Sequence, residues 1–244
     1  MRLFPLLGAA ALLAGCAAAP LSAPDTTGVD ALLLGEQHDA RAHPGLHEHW
    51  VAGLARQGTL AAVALEMADR GTSTGGLPPQ ASETQVQQAL HWDAQGWPWE
   101  RYRPAIMAAV RAGVPVLGAN LPRGQQREAM QDKSLDRLLP GPALKAQQQA
   151  VRLGHCELLP ESQIAPMTRI QIARDRSMAQ TIAAAVVPGK TVVLLAGAGH
   201  VEPDVGVPRH LPATVQARSM ELPREETGKD YCEELRKEMG KRTG

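Results

Sequence analysis

Two short apolar runs in this chain each end in the pattern Gly-x-x-His, and this repeat constrains the fold more than any other feature. Ala31–Leu34 is followed by GEQH, which ends at His38, and Thr191–Ala196 is followed by GAGH, which ends at His200. Short apolar runs bounded by turn residues are typical of buried strands. In an open parallel sheet, the loops that leave the carboxyl ends of the strands converge on one crevice. We therefore expect the two histidines to lie in one site.

The order of the predicted elements indicates an α/β fold. Segments with helical spacing separate the apolar runs, and strands that alternate with helices predict a largely parallel sheet flanked by helices. Residues 121–186 are mostly helical, and we expect them to form an insert or subdomain over the strand ends. The predicted strands are Ala31–Leu34, Leu60–Leu65, Val114–Leu117, Thr191–Ala196 and an edge strand, Thr214–Met220.

Residues 1–15 have the composition of a signal peptide. Arg2 supplies a positive start, and the apolar run Leu3–Leu13 is too short to span a bilayer as a mature helix. The run ends in Leu-Ala-Gly followed by Cys16, which is the pattern of a bacterial lipoprotein signal. The alternative is an ordinary cleaved signal peptide with a coincidental cysteine.

Cleavage before Cys16 would leave that cysteine to carry acyl chains such as palmitate, and the mature protein would be anchored to a membrane without spanning it. Residues 16–28 would then be the lipidated cysteine and a flexible tether, and residues 29–244 the folded domain. Ala17 stands where an Asp usually retains lipoproteins in the inner membrane. The sequence therefore favours the outer membrane, with the protein facing the periplasm.

Export also determines how the other two cysteines are interpreted. Cys156 and Cys232 would lie in an oxidising compartment, where a disulfide between them and two buried thiols are both consistent with the sequence. The chain has 25 basic and 25 acidic residues, so its charge gives no reason to expect a nucleic-acid partner.

Several polar residues follow predicted strands and could carry chemistry. Glu36 and His38 follow the first strand, Glu66 follows the second, and His200 follows the fourth. Any one of them alone is more typical of a structural group. Together they offer a divalent-metal site from His38, Glu66 and His200, because zinc binds imidazole nitrogen and carboxylate oxygen. The same groups are also suited to general acid–base catalysis.

Three further histidines, His43, His47 and His49, lie in a segment with helical spacing. The first two are four residues apart and would share a helix face. The segment lacks the Glu that follows the first His of a zinc-protease helix. We expect these histidines to lie at a solvated helix start.

Most of the aromatic side chains are concentrated in one segment. Trp92, Trp97, Trp99 and Tyr102 lie within eleven residues of a chain that is only 3% aromatic. Trp and Tyr provide flat, rigid apolar area with a polar group, which suits a planar ligand such as a porphyrin. Tyr phenolate is also a known axial ligand of iron. The alternative is that these side chains form one wall of the core.

The ordered set of motifs resembles the ChaN family of haem-binding, iron-regulated lipoproteins. This family belongs to a wider superfamily with erythromycin esterases and Tiki-type proteases, and the resemblance covers essentially the whole mature chain. Its motifs here are GEQHD at 35–39, LEM at 65–67, Trp99 with Tyr102 and Pro104, ANLPR at 119–123, His155-Cys156 with Leu159-Pro160, Arg174-Asp175 with Met178-Ala179, and GAGHV at 197–201 with GVP at 206–208.

The resemblance implies a haem cofactor. Tyr102 together with His38 or His200 is the implied contact to iron, Trp99 belongs to the implied pocket, and Arg123 is suited to a propionate because its guanidinium forms paired hydrogen bonds with carboxylates. It also implies a homodimer that sandwiches a pair of haems and an outer-membrane haem receptor as a partner. One departure is Ala198, which stands where the family often has Asn.

The resemblance also leaves a second function open. In the wider superfamily, paired Gly-x-x-His elements and a Glu build hydrolytic, sometimes metal-dependent sites, and those positions here are Glu36, His38, Glu66 and His200. The chain has no Gly-x-Ser-x-Gly motif, which argues against a conventional esterase. We therefore expect a membrane-anchored haem-binding lipoprotein for haem or iron uptake, and the alternative is a metal-dependent hydrolase acting on esters or peptides.

Overall fold

The computed structural model describes residues 24–242 and contains a five-stranded sheet flanked by helices. The order of the strands is β3-β2-β4-β1-β5, and every neighbouring pair is parallel. The predicted α/β class with a parallel sheet is therefore confirmed. The strands are β1 (Ala31–Glu36), β2 (Leu60–Asp69), β3 (Val116–Asn120), β4 (Thr191–Gly197) and β5 (Ala217–Glu221).

Seven α-helices connect and flank these strands in the described part of the chain. They are α1 (His43–Gln57), α2 (Glu83–Ala89), α3 (Trp99–Arg111), α4 (Arg123–Gln131), α5 (Gly141–Gly154), α6 (Glu161–Ala185) and α7 (Tyr231–Arg242). Local sequence sets some of their ends: Ser82 and Gln85 form a capping box before α2, and Gly58 ends α1 in the left-handed conformation.

Alternate side chains of each strand pack on opposite faces of the sheet, because successive strand residues point to opposite sides. Leu32 and Leu34 of β1 join the cluster formed with α1 and α3. Ala31 and Leu33 join the cluster formed with α6. The sheet therefore lies between two helical layers and is buried on both faces, which explains why its strands read as continuous apolar runs.

The helical segment 121–186 has two roles. Helices α4, α5 and the first half of α6 form a separate small cluster, which begins at Leu121 where the chain leaves β3. The second half of α6 covers the sheet face through Met178, Ala179 and Ile182. Parallel crossovers are right-handed, so the return from β3 to β4 has to cross the face opposite α1 and α3. The predicted insert at the strand ends therefore also supplies the second helical layer.

The carboxyl-terminal part of the chain is tied to the helical segment by a disulfide. Cys156, just after α5, bonds to Cys232 at the start of α7 with an S–S distance of 2.04 Å. The disulfide is thus the alternative that the structure adopts. No helix within residues 24–242 is long and apolar enough to cross a bilayer. The predicted signal peptide and Cys16 lie outside the described residues.

Candidate functional site

The carboxyl ends of β1, β2 and β4 bring four of the predicted residues together. β4 lies between β1 and β2 in the sheet. Glu36 ends β1 on the face covered by α1 and α3, whereas Glu66 of β2 points to the face covered by α6. His38 follows β1 and lies close to both buried carboxylates, and His200 follows β4 and lies close to Glu66.

His38 lies across the end of β4 and is the accessible member of the site, with 39% of its side chain exposed. Its Nδ1 is 2.7 Å from Glu36 Oε1, and its Nε2 is 3.8 Å from Glu66 Oε2. A β-carbon at position 197 would lie 2.9 Å from Nε2, so Gly197 makes room for the ring. Trp97 packs edge-on against the imidazole with 4.9 Å between ring centroids.

The pKa of His38 is raised above its ordinary value. Burial lowers it, but the hydrogen bond to Glu36 and the charges of Glu66 and Glu36 more than compensate. The imidazolium form is therefore stabilised while the ring remains partly open to solvent.

Glu36 is the acceptor on which several side chains converge. The Tyr102 hydroxyl donates to Glu36 Oε1 at 2.6 Å, and Tyr102 itself is only 1% exposed. Burial and the neighbouring Glu36 raise the pKa of Tyr102 far above its ordinary value, so the hydroxyl stays protonated. Burial raises the pKa of Glu36, but the hydrogen bonds from His38 and Tyr102 and the charge of His38 outweigh burial, and the net shift is downward. In this arrangement Tyr102 supports Glu36, and its role as an iron ligand stays a prediction.

The expectation of a solvated helix start at His43 and His47 is wrong. Both side chains are buried, and only His49 is exposed. The reason is helical spacing: His43, His47, Trp50 and Leu54 form one stripe of α1 that faces the core. Burial lowers the pKa of His47 to about 4, so its ring is neutral, with Nδ1 at 3.6 Å from Glu36 Oε2.

His200 is held in a buried cluster of charges. Its Nδ1 is 2.5 Å from Asp175 Oδ1 of α6, and its Nε2 is 3.3 Å from Glu66 Oε1. Burial lowers the pKa of His200, but the two carboxylates dominate and raise it to about 9. Glu66 keeps its charge, because His200 and Arg174 overcome the effect of burial and hold its pKa well below the ordinary value. His200 is therefore an imidazolium between two carboxylates.

Arg174 completes this cluster and changes the interpretation of the predicted metal site. Its guanidinium donates to Glu66 Oε1 and, at 3.0 Å, to Asn120 Oδ1. Within the described residues, no group of three or more His, Cys, Asp or Glu is arranged to hold a metal ion. A guanidinium and an imidazolium supply the positive charge around Glu66 in this arrangement, and the metal site of His38, Glu66 and His200 stays a prediction.

A cavity of about 530 Å³ lies on the side of β2 and β3, and Trp97, which packs against His38, forms part of its wall. Arg174 belongs to both the cavity wall and the charge cluster, and the guanidinium of Arg123 lines the cavity from the start of α4. Arg123 is 78% exposed and is oriented by Asp93 Oδ2 at 2.9 Å. The cavity therefore has two guanidiniums and an indole on its walls.

Trp99, which the resemblance assigned to the pocket, lies elsewhere. Its indole N–H donates to Glu83 Oε2 at 3.0 Å, and its ring packs on Trp92 with 5.0 Å between centroids. The core interpretation therefore holds for part of the segment, and a contact of the segment with a planar ligand stays a prediction. Trp99 and Trp92 help to close the core, and Trp97 is the member that reaches the site. Trp97 lies in the loop before α3, and no pattern in the sequence distinguishes it from the other aromatic residues of the segment.

The groups around His38 fit the expected haem. A partly exposed imidazole, an adjacent indole and two guanidiniums are suited to a flat iron-bearing ligand with carboxylates, because imidazole binds iron and guanidinium pairs with carboxylate. His38 and His200 also each have a carboxylate near both ring nitrogens, which is an arrangement suited to moving protons.

Comparison with known proteins agrees with the motifs. The sequence model of a family described as "Haem-binding uptake, Tiki superfamily, ChaN" matches residues 23–211. A solved structure described as "Cofacial heme binding to ChaN of Campylobacter jejuni" has a TM-score of 0.65 at 23% identity and covers 81% of this chain and 83% of that chain. The type III effector HopBA1 has a TM-score of 0.42 at 18% identity and covers 78% of this chain and 75% of that chain. No curated protein sequence is significantly similar.

Proposed function

We propose that this chain, which belongs to the ChaN family of the Tiki superfamily, binds haem at the His38 site and serves in haem uptake. The observation that carries the proposal is the accessible imidazole of His38 beside Trp97 and a cavity lined by guanidiniums. Bound haem would supply iron and a flat dicarboxylate ring. The chain's own part is to orient that ring and to neutralise its carboxylates.

Each of the site residues has a separate role in this proposal. His38 Nε2 lies 3.8 Å from Glu66 Oε2, and it is the nitrogen that would give up its proton and contact iron. Its Nδ1 is held by Glu36, which fixes the orientation of the ring. Arg123 is the better placed of the two guanidiniums for a propionate, because it is 78% exposed, whereas Arg174 donates to the buried Glu66 and to Asn120. His200 would act indirectly, by stabilising the charged form of Glu66.

The cellular setting is part of the same proposal. Cys16 would be lipidated and would anchor the domain to the outer membrane, facing the periplasm, where it would receive haem from an outer-membrane haem receptor. Two chains would pair to enclose haem, as the family resemblance implies. Replacing Cys16 with Ala should move the protein from the membrane fraction to the soluble periplasmic fraction, and retention in the membrane fraction would refute the lipid anchor.

The direct test is a haemin titration of residues 17–244 followed by absorption spectroscopy. A saturable Soret shift that is weakened in His38→Ala, and is unchanged in the surface control His49→Ala, is the expected result. Tyr102→Phe, measured beside them, tests whether the phenol contacts iron, because its loss would then change the spectrum as well as the affinity. The absence of any saturable shift would overturn the haem proposal.

A hydrolase is the second candidate, favoured by the two histidines that share Glu66. His38 has the access that a catalytic histidine needs and, with its imidazolium form stabilised, is suited to act as a general acid, whereas His200 is buried. A panel of aryl esters and peptides, with and without added zinc or manganese, tests this function. Turnover that is lost in His38→Ala would favour the hydrolase, and the absence of turnover throughout the panel would count against it.

A further inference from the structure

The chain after β5 runs back across the loop that carries His38. We name residues 222–232 the C-terminal strap and residues 37–42 the His38 loop. The family match ends at residue 211, so the strap lies beyond the part of the chain that the family model describes. Its contacts nevertheless fall on either side of the site's accessible histidine.

Glu225 makes the central contacts between the strap and the His38 loop. Its carboxylate accepts hydrogen bonds from the backbone N–H groups of Arg41 at 2.7 Å and Ala42 at 2.8 Å. Ala42 precedes α1, which has no side-chain cap of its own, so Glu225 supplies an acceptor at this helix start. The backbone of Glu225 also pairs with the side-chain amide of Gln37, with 3.1 Å in each direction.

Two further residues of α1 and the loop are bound to the strap. Buried His43 accepts a hydrogen bond from the Gln37 backbone N–H at 3.1 Å and donates from Nε2 to the Pro223 carbonyl at 2.9 Å. Asp39 accepts a hydrogen bond from the Tyr231 hydroxyl. The residues on both sides of His38 are therefore held by the strap, directly or through His43.

The far end of the strap is fixed covalently. Cys232 follows Tyr231 directly and is joined to Cys156 beside α5, with 5.5 Å between the Cα atoms. The strap itself lies at the surface, where single hydrogen bonds and ion pairs contribute little to stability. A covalent tether at its end keeps these weak contacts at a high effective concentration. The disulfide thus keeps the strap on the His38 loop.

We propose that the strap is a redox latch on the His38 loop. A dithiol reductant would transfer two electrons and two protons to the Cys156–Cys232 bond, which breaks to give two thiols while the reductant's own sulfurs join in a disulfide. The strap would then leave the loop, and the backbone N–H groups of Arg41 and Ala42 would lose the Glu225 carboxylate that accepts their hydrogen bonds. A ligand held by His38 would then dissociate faster. The ligand's identity rests on the proposed function, whereas the latch does not.

Hydrogen exchange of the full chain in detergent, without haem, tests the latch directly. The amides of Gln37, Arg41 and Ala42 are all donors in the closed arrangement. Complete reduction, verified by counting alkylated thiols, should speed their exchange at least about tenfold, while amides in the centre of β4 stay protected. Unchanged exchange of the three loop amides after complete reduction would overturn the latch.

Haemin release from the same protein separates the latch from the proposed function. Transfer of haemin to an acceptor protein should be several-fold faster after reduction. Faster loop exchange in a protein that never binds haemin saturably would leave the latch standing and refute the haem proposal. Saturable haemin binding, with haemin release and loop exchange both unaffected by reduction, would support the haem proposal and refute the latch.

A matched pair of strap variants removes the dependence on redox chemistry. Glu225→Gln replaces a carboxylate that accepts two backbone hydrogen bonds, and Glu226→Gln makes the same change at an exposed neighbour. Faster exchange of Arg41 and Ala42 in Glu225→Gln alone supports the latch, and equal behaviour of the two variants contradicts it. This pair decides the question even if a variant without both cysteines fails to fold.

Discussion

The two Gly-x-x-His segments share a sequence pattern and a position at the strand ends, yet their histidines have opposite environments. His38 is 39% exposed and faces the cavity side through Trp97, whereas His200 is 6% exposed and lies between Asp175 and Glu66. Both rings approach the single carboxylate of Glu66 through Nε2. The pattern therefore places the two rings together, but it does not make them equivalent.

The difference follows from what covers each segment. α6 passes over the segment after β4 and brings Asp175 onto His200, so that ring becomes part of a buried charge network. The segment after β1 leaves 39% of the His38 side chain exposed, and the strap contacts the residues on either side of it. One histidine maintains the frame of the site, and the other is available to a ligand.

The largest expected difference between the two histidines is in their contributions to the free energy of unfolding. His200→Ala leaves Asp175 buried without its partner, and removing one member of a buried pair costs about 3–5 kcal/mol of the free energy of unfolding. His38→Ala removes one charge-assisted hydrogen bond at a partly exposed position and should cost only about 1–2 kcal/mol. Denaturant unfolding of the two variants, with His49→Ala as the surface control, measures both values, and equal losses would show that the environments do not differ as described.

The second test uses pH. Because the pKa of His200 is raised from 6.5 to about 9, its contribution to stability is fully present below pH 6.5 and is lost as pH rises through about 9. The shift corresponds to a contribution on the order of 3 kcal/mol. The free energy of unfolding should therefore fall across this interval in the wild type and fall less in His200→Gln. Parallel pH profiles of the two proteins would refute the assignment of the charge to His200.

Ligand binding should show the opposite ranking of the two histidines. His38→Ala should weaken haemin binding about tenfold or more, which is about 1.4 kcal/mol, because it removes the accessible imidazole. His200→Gln should leave the affinity of the folded fraction within about threefold of the wild type, a difference below about 1 kcal/mol. Titrations below the unfolding transition separate affinity from stability, and a larger loss in His200→Gln would reverse the assigned roles.

The smallest effect should come from the glycines of the second segment. Gly197→Ala would place a β-carbon 2.9 Å from His38 Nε2, whereas a β-carbon at Gly199 meets nothing within 4 Å. The first change should displace the His38 ring and weaken haemin binding a few-fold, with about 1 kcal/mol or less of stability lost, as for most substitutions near a surface. Gly199→Ala serves as the matched control, and indistinguishable NMR titrations of His38 in the two variants would contradict the described packing.

Much of the architecture could be read from the order of residues. The apolar runs ending at Leu34 and Ala196 predicted strands correctly, because a sheet buried on both faces leaves near-continuous apolar sequence. The meeting of His38 and His200 followed from the rule that parallel strand ends converge. By contrast, the burial of His43 and His47 was missed, although their spacing with Trp50 and Leu54 was an available signal.

The sequence by itself determined the fold class, the edge of the sheet that carries the site, and four of its residues: Glu36, His38, Glu66 and His200. Local periodicity and parallel-strand geometry suffice for these, because both act along the chain or follow from topology. Only the tertiary structure decided which histidine is buried in a charge network and which is accessible, because these properties depend on groups distant in sequence, chiefly Asp175, Arg174 and Trp97. The same holds for the strap, whose contacts with the His38 loop join residues that are more than 180 positions apart.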